Sequence, residues 1–150
     1  MKTIVVFFAV LACTGCDTLS GVSRTALIPQ PPPMQVEQIL LRVPGVTSVR
    51  RERVPESVAW SLYEGKVVSP AYDQYVYVAG EVGGVVEFRQ TPEGRDELEI
   101  YYWWINRRMP ARTADDARRV MDLVWEALRS EFSGLPERSA VREVVLRLGP

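Results

Sequence analysis

The stretch Asp73–Arg107 reads DQYVYVAG (73–80), EVGGVVEFRQ (81–90), TPEGRDELEI (91–100) and YYWWINR (101–107). Three segments within it, 73–80, 84–90 and 96–107, are rich in β-branched and aromatic residues and alternate in polarity, as half-buried strands do. The runs Gly80-Glu81-Val82-Gly83-Gly84 and Thr91-Pro92-Glu93-Gly94-Arg95 supply turn residues between them. The spacing predicts a three-stranded antiparallel meander. Side-chain parity then sets the faces. Pairing Gly80 with Gly84, and Gln90 with Asp96, assembles Val76, Val78, Val86, Phe88, Leu98, Ile100, Tyr102 and Trp104 on one apolar face. Tyr75, Tyr77, Tyr101 and Trp103 fall on the other, with Glu87, Arg89, Glu97 and Glu99.

An apolar sheet face needs a cover. Ala117, Val120, Met121, Val124, Trp125, Leu128 and Phe132 step by three and four and form one stripe of a helix over Ala114–Phe132. Thr113 is placed to cap that helix with Asp116 at the third position, and Gly134 and Pro136 end it. Upstream, Val36, Ile39, Leu40 and Val43 give a short helix within Met34–Val43, stopped by Pro44-Gly45. Val46–Val54 reads as a strand, Ser57–Glu64 as one or two helical turns, and Val141–Leu148 as a last strand. The fold class expected is α+β: a two-layer sandwich, an antiparallel meander sheet packed against one long C-terminal helix, with a short N-terminal helix.

The chain has 150 residues, with 18 basic and 19 acidic side chains and a formal charge of −1, which gives no pull towards nucleic acid. Histidine is absent, and the two cysteines, Cys13 and Cys16, stand ahead of the folded part. His-dependent triads, Cys–His nucleophiles and Cys/His zinc sites are thereby excluded from that part. No cofactor or metal is expected.

The N-terminus has its own logic. Lys2 precedes the apolar run Ile4–Ala12 (IVVFFAVLA), and Cys13-Thr14-Gly15-Cys16 follows. Nine apolar residues are too few to cross a bilayer core of ~30 Å at about 1.5 Å per residue, so the run reads as an export signal. The cysteine after it resembles the lipobox of bacterial lipoproteins. That resemblance implies a diacylglycerol thioether on the cysteine and cleavage before it. Cys16, after Thr14-Gly15, is the preferred lipidation site; Cys13, after Val10-Leu11-Ala12, is the alternative. The division expected is residues 1–15 as signal, 16–33 as a Pro-rich tether ending in Pro29-Gln30-Pro31-Pro32-Pro33, and 34–150 as a single domain. The resemblance places the protein in the cell envelope, held to a membrane by its N-terminal lipid and facing the periplasm or cell surface. Asp17 resembles an inner-membrane retention signal of enterobacterial lipoproteins, a rule that varies between bacterial groups, so inner and outer membrane both stand.

Ten of the twelve aromatic residues beyond the signal lie between Trp60 and Trp104. Tyr75, Tyr77, Tyr101 and Trp103, interleaved with charge, suit a protein partner; the plainer reading is that other parts of the chain cover them. The parity also sets Glu87 opposite Glu99 and Glu97 opposite Arg89. Two facing carboxylates can split their pKa values and serve as acid and base, but with Arg89 beside them a charge-paired sheet face is the simpler reading. Arginines gather at Arg50, Arg51, Arg53 and at Arg107, Arg108, Arg112, where they could meet anionic groups. With one lysine, Lys66, beyond the signal, however, arginine is simply the default base of this chain. The function expected is a non-catalytic, lipid-anchored protein-interaction or assembly domain with an envelope protein as partner. The alternative is a lipoprotein that binds a small molecule, glycan or lipid.

Overall fold

The computed structural model describes residues 18–28, 32, 34–61, 65–91, 93–105, 111–136 and 141–147. Among these residues eight strands and two helices follow one another: β1 (Thr18–Leu27), α1 (Val36–Leu41), β2 (Val46–Val54), β3 (Ser57–Ser61), β4 (Gly65–Ser69), β5 (Tyr72–Ala79), β6 (Val82–Gln90), β7 (Asp96–Ile105), α2 (Ala111–Glu131) and β8 (Val141–Arg147). Six strands form one sheet in the order β2-β5-β6-β7-β1-β8, with every neighbour antiparallel. The two helices pack on it, giving the two-layer α+β sandwich that the periodicities predict.

The core is where the helix stripe requires it. Ala117, Val120, Met121, Val124, Trp125, Leu128 and Phe132 are all buried, and Trp125 is fully so. They meet Val86, Phe88, Leu98 and Ile100 of the sheet, and Phe132 stacks on Phe88 at 5.8 Å between ring centroids. Val36, Ile39, Leu40 and Val43 join the same cluster, so α1 widens the layer that α2 begins. Arg24 reaches into this layer from β1. Its guanidinium lies 5.2 Å from the Trp125 ring centroid and pairs with Asp122 of α2.

Four expectations are corrected. First, Thr18–Leu27 is no tether but a strand between β7 and β8. Its Ser, Thr and Gly content resembles a linker, yet the ladder on both sides satisfies its backbone, and Val22 and Ala26 pack on the core. Second, Ser57–Glu64 is not helical; β3 and β4 form a separate two-stranded ribbon. Third, α2 starts at Ala111, so Thr113 lies within the helix and does not cap it. Pro110 precedes that start in sequence, and proline suits a first turn, where its missing N–H is not needed.

The fourth correction is the register of the first hairpin. Ala79 pairs with Val82 across the two-residue loop Gly80-Glu81, and Tyr77 pairs with Gly84. Glycine at the first loop position has φ +64°, a left-handed value that primed hairpin turns require there. The expected pairing of Gly80 with Gly84 differs by an odd step, which exchanges the two faces of β5. Tyr75 and Tyr77 therefore enter the core at 6% and 1% exposure, and Val78 is left 42% exposed. The second hairpin keeps its expected register, with Gln90 opposite Asp96 and Phe88 opposite Leu98.

Candidate functional site

The face of the sheet away from the helices carries the chemistry. On β6 and β7 the register sets Glu87 opposite Glu99, and Arg89 opposite Glu97. β5 contributes Tyr72 and Gln74, because its alternate residues, Tyr75 and Tyr77, turn to the core. Glu87 is 4% exposed. Tyr101 Oη donates to Glu87 Oε1 at 2.7 Å, and Tyr72 Oη donates to the same oxygen over a longer 3.4 Å. Arg89 spans the group: its Nη2 lies 2.7 Å from Glu99, its Nε 3.1 Å from Glu97 and its Nη1 3.8 Å from Glu87. Further along, Gln74 Nε2 donates to Glu52 at 2.6 Å, and Arg50 pairs with Glu52 at 2.6 Å.

The protons of this cluster are held firmly. Burial, and then the Glu87 carboxylate, push the Tyr72 hydroxyl up to about 12. Burial and the hydrogen bond to Glu87 raise Tyr101 further still. Burial works against the Arg89 charge, but Glu99, Glu97 and Glu87 more than offset it and raise its pKa. The arrangement is a set of carboxylates tied to a guanidinium and to phenols that keep their protons, the charge-paired face that parity predicts. It is built to hold this surface of the sheet together, strand to strand.

The four aromatic positions expected to share this face do not all do so. Tyr101 is there, hydrogen-bonded to Glu87. Trp103 occupies an outer-face position opposite Gly21 of β1. Tyr75 and Tyr77 are on the opposite side, where the Tyr75 ring meets Phe88 edge-on at 6.1 Å. The two-residue turn at Gly80-Glu81 is the signal that separates them. Cys13, Cys16, Arg107 and Arg108 lie outside the described residues. Of the other arginines, Arg51 and Arg53 pair with Asp73 at 2.9 and 3.3 Å. These bonds hold the Asp73 carboxyl below the usual range although its partial burial opposes them. Arg112 is exposed in the first turn of α2.

Two features were not legible beforehand. At the end of the sheet where β1 finishes, a groove of about 270 Å³ is lined by Ile28, Pro32, Tyr72, Phe88, Arg89 and Asp96, among others. The β3–β4 ribbon leaves the sheet at that same end, between Val54 and Tyr72. Its cross-strand pair Val58–Val68 is 38% and 45% exposed. No protein-family model matches the chain, and no curated protein matches it in sequence.

Proposed function

We propose that the chain is a lipid-anchored, non-catalytic envelope protein whose domain binds another envelope protein through the β3–β4 ribbon. The observation that carries this reading is the exposed Val58–Val68 pair on a ribbon that, among the described residues, pairs only with itself. An isolated two-stranded hairpin is marginally stable in water and gains from packing against a further surface. Exposed apolar pairs on such an element are what a partner can bury. The tied-down carboxylates of the outer face agree with a scaffold role. The lipobox resemblance at Cys16 supports the anchor and the envelope location. Tyr75 and Tyr77, being buried, have no part in the contact.

Two experiments test the parts separately. Cys16→Ser is expected to abolish labelled palmitate incorporation; incorporation that persists until Cys13 is also changed moves the anchor to Cys13. A photo-cross-linking residue in place of Val58 or Val68 is expected to trap one specific envelope protein in intact cells. The same residue at exposed Glu126 of α2 is expected to trap none. Equal trapping from Glu126, or none from either valine, rejects the ribbon as the contact. The second reading, a lipoprotein that binds a small molecule, glycan or lipid, draws on the groove beside Tyr72. Its volume lies just below the usual range of ligand pockets, about 300–1,000 Å³.

A further inference from the structure

We infer that the free edge of β2 takes up an extended, acidic segment of a partner protein as a further antiparallel strand. The inference stands apart from the ribbon and from the lipid anchor. β2 is an outer strand of the six-stranded sheet: one side pairs with β5 and, among the described residues, nothing pairs with the other. Such an edge carries a row of backbone N–H and C=O groups that an added strand can satisfy. Sheets commonly protect an edge by keeping it short, by breaking it with proline or a bulge, or by standing charged side chains across it. β2 runs nine residues without a proline, and its one irregularity is at its start, between Val46 and Ser48. From Ser48 to Val54 the strand is regular.

The charges of β2 do not guard that edge. Arg51 and Arg53 turn back over the sheet to Asp73 of β5, and Arg50 is held along its own strand by Glu52, which accepts from Gln74 of β5. The three guanidinium groups are drawn inwards, and the backbone beside them is left open. Each meets its carboxylate through one nitrogen among the described residues, Nη2 of Arg50 and Arg51 and Nη1 of Arg53, although a guanidinium has five N–H donors. Glu37 of α1 adds only a weak, through-space pull on Arg51. All three arginines are exposed, and they flank the edge on both sides of the sheet: Arg51 lies opposite the buried Tyr75, Arg50 opposite Val76 on the outer face. An incoming strand therefore faces three cations and one carboxylate from Arg50 to Arg53, and acidic side chains opposite the arginines complement them. A second copy of β2 fits poorly. Antiparallel pairing of a strand with its own copy centres on one residue, so a centre anywhere from Arg50 to Arg53 sets like charges opposite each other. A centre at Val49 draws the irregular step beside Val46 into the ladder.

The test titrates the full chain with the capped peptide Thr-Val-Glu-Thr-Glu-Glu-Val-Thr, whose glutamates fall opposite Arg53, Arg51 and Arg50 in an antiparallel pairing. Saturating peptide is expected to slow amide hydrogen exchange in Val46–Val54 and to leave α2 unchanged. The peptide with glutamine for its three glutamates is expected to bind roughly tenfold more weakly, a gap that narrows as salt is added. Methylating alternate backbone nitrogens of the peptide, in two sets, separates strand addition from charge attraction alone. One set is expected to abolish binding and the other to spare it, because only every second N–H of an added strand points at the edge. The Arg50→Glu, Arg51→Glu double variant is expected to lose the glutamate peptide and to bind the same peptide with lysine for glutamate. Unchanged exchange in β2 at saturating peptide, equal binding of the glutamate and glutamine peptides, or equal effects of the two methylation sets each overturn the inference. None of these readings needs a variant of the protein. Protection of β2 by self-association of the chain, seen as a dimer in sedimentation without peptide, overturns it in favour of a second copy.

Discussion

Gly84→Ala tests the register on which the whole face assignment depends. Gly84 lies opposite Tyr77, and the tyrosine ring crosses over it. A methyl group at Gly84 would press on Tyr77 Oη and sit 2.6 Å from Cζ and 2.9 Å from Cε1. All three are closer than carbon tolerates, and Tyr77 is 1% exposed, so the ring has no solvent to retreat into. Overpacking of this kind costs about 1–3 kcal/mol, and the loss of glycine's unfolded-state freedom returns about 0.5–1, leaving a net loss centred near 1 kcal/mol and no larger than about 2.5. Gly84 does not adopt a left-handed φ, so backbone strain adds nothing to that figure. Urea titration followed by circular dichroism measures it. In a Tyr77→Leu background the ring is gone, and Gly84→Ala is expected to stabilise by about 0.5–1 kcal/mol. The sign change is the decisive reading, because it isolates the pair. A single Gly84→Ala variant that is more stable than the parent refutes the reasoning. It would restore the Gly80–Gly84 pairing, with Tyr77 on the outer face.

Trp125→Ala is expected to cost about 3–5 kcal/mol, since a fully buried indole is removed from beneath the guanidinium of Arg24; a loss under about 1 kcal/mol in urea would break the helix-on-sheet assignment. Asp73→Asn tests the acid limb. The folded carboxyl titrates below its unfolded value, so its contribution is present above the ordinary pKa of about 3.9 and is lost as pH falls through the lower folded value. The variant is expected to lose that part of the pH dependence, and an unchanged acid limb would count against the Arg51–Asp73–Arg53 cluster. Tyr72 acts at the other end of the scale. Its folded pKa of about 12 lies above the unfolded value, so its contribution is full below pH ~10 and is lost as pH rises through the folded value. Tyr72→Phe is expected to flatten the alkaline limb, and tyrosinate absorbance of the native protein checks the late titration directly.

The elements with long, regular apolar spacing were legible in the sequence, and they carry the core. The α2 stripe is buried residue for residue, and Val46–Val54 and the second hairpin stand where alternation places them. What was not legible has one common source, which is that polarity patterns say little where a strand is short of apolar residues or where two turns compete. Thr18–Leu27 offers Val22 and Ala26 to the core but spends the inward position between them on Arg24, whose burial depends on Trp125 and Asp122 far along the chain. Val82-Gly83-Gly84 reads as loop because of its glycines, yet those glycines make room for β5. A Cβ at Gly83 would stand 2.6 Å from the Tyr77 carbonyl oxygen. The outer-face pairs Glu87–Glu99 and Arg89–Glu97 were legible because the second hairpin was; the company of Tyr72 was not, because β5 was inverted.

The place of β1 changes what the proline-rich run does. Pro29–Pro33 follows β1 in the chain, so it joins the first strand to α1 and cannot hold the domain away from a membrane. On the proposed lipid anchor, distance from the bilayer is set by the few residues before Thr18. An anchor at Cys16 leaves about 7 Å of extended chain, and one at Cys13 about 17 Å. The two proposed anchors therefore predict different heights of the sheet above a bilayer. The other end of the sheet is less affected. A ten-residue strand spans about 33 Å, and the ribbon leaves beside Val54 and Tyr72, level with the end of β1. With the proposed anchor at either cysteine, the Val58–Val68 pair is rooted at the end of the sheet remote from it. The partner trapped there is expected to be one that presents its surface well above the bilayer. Moving the proposed lipid from Cys16 to Cys13 should leave cross-linking from Val58 unchanged. A loss of cross-linking on that change would show that the ribbon does not act independently of the anchored end of the molecule.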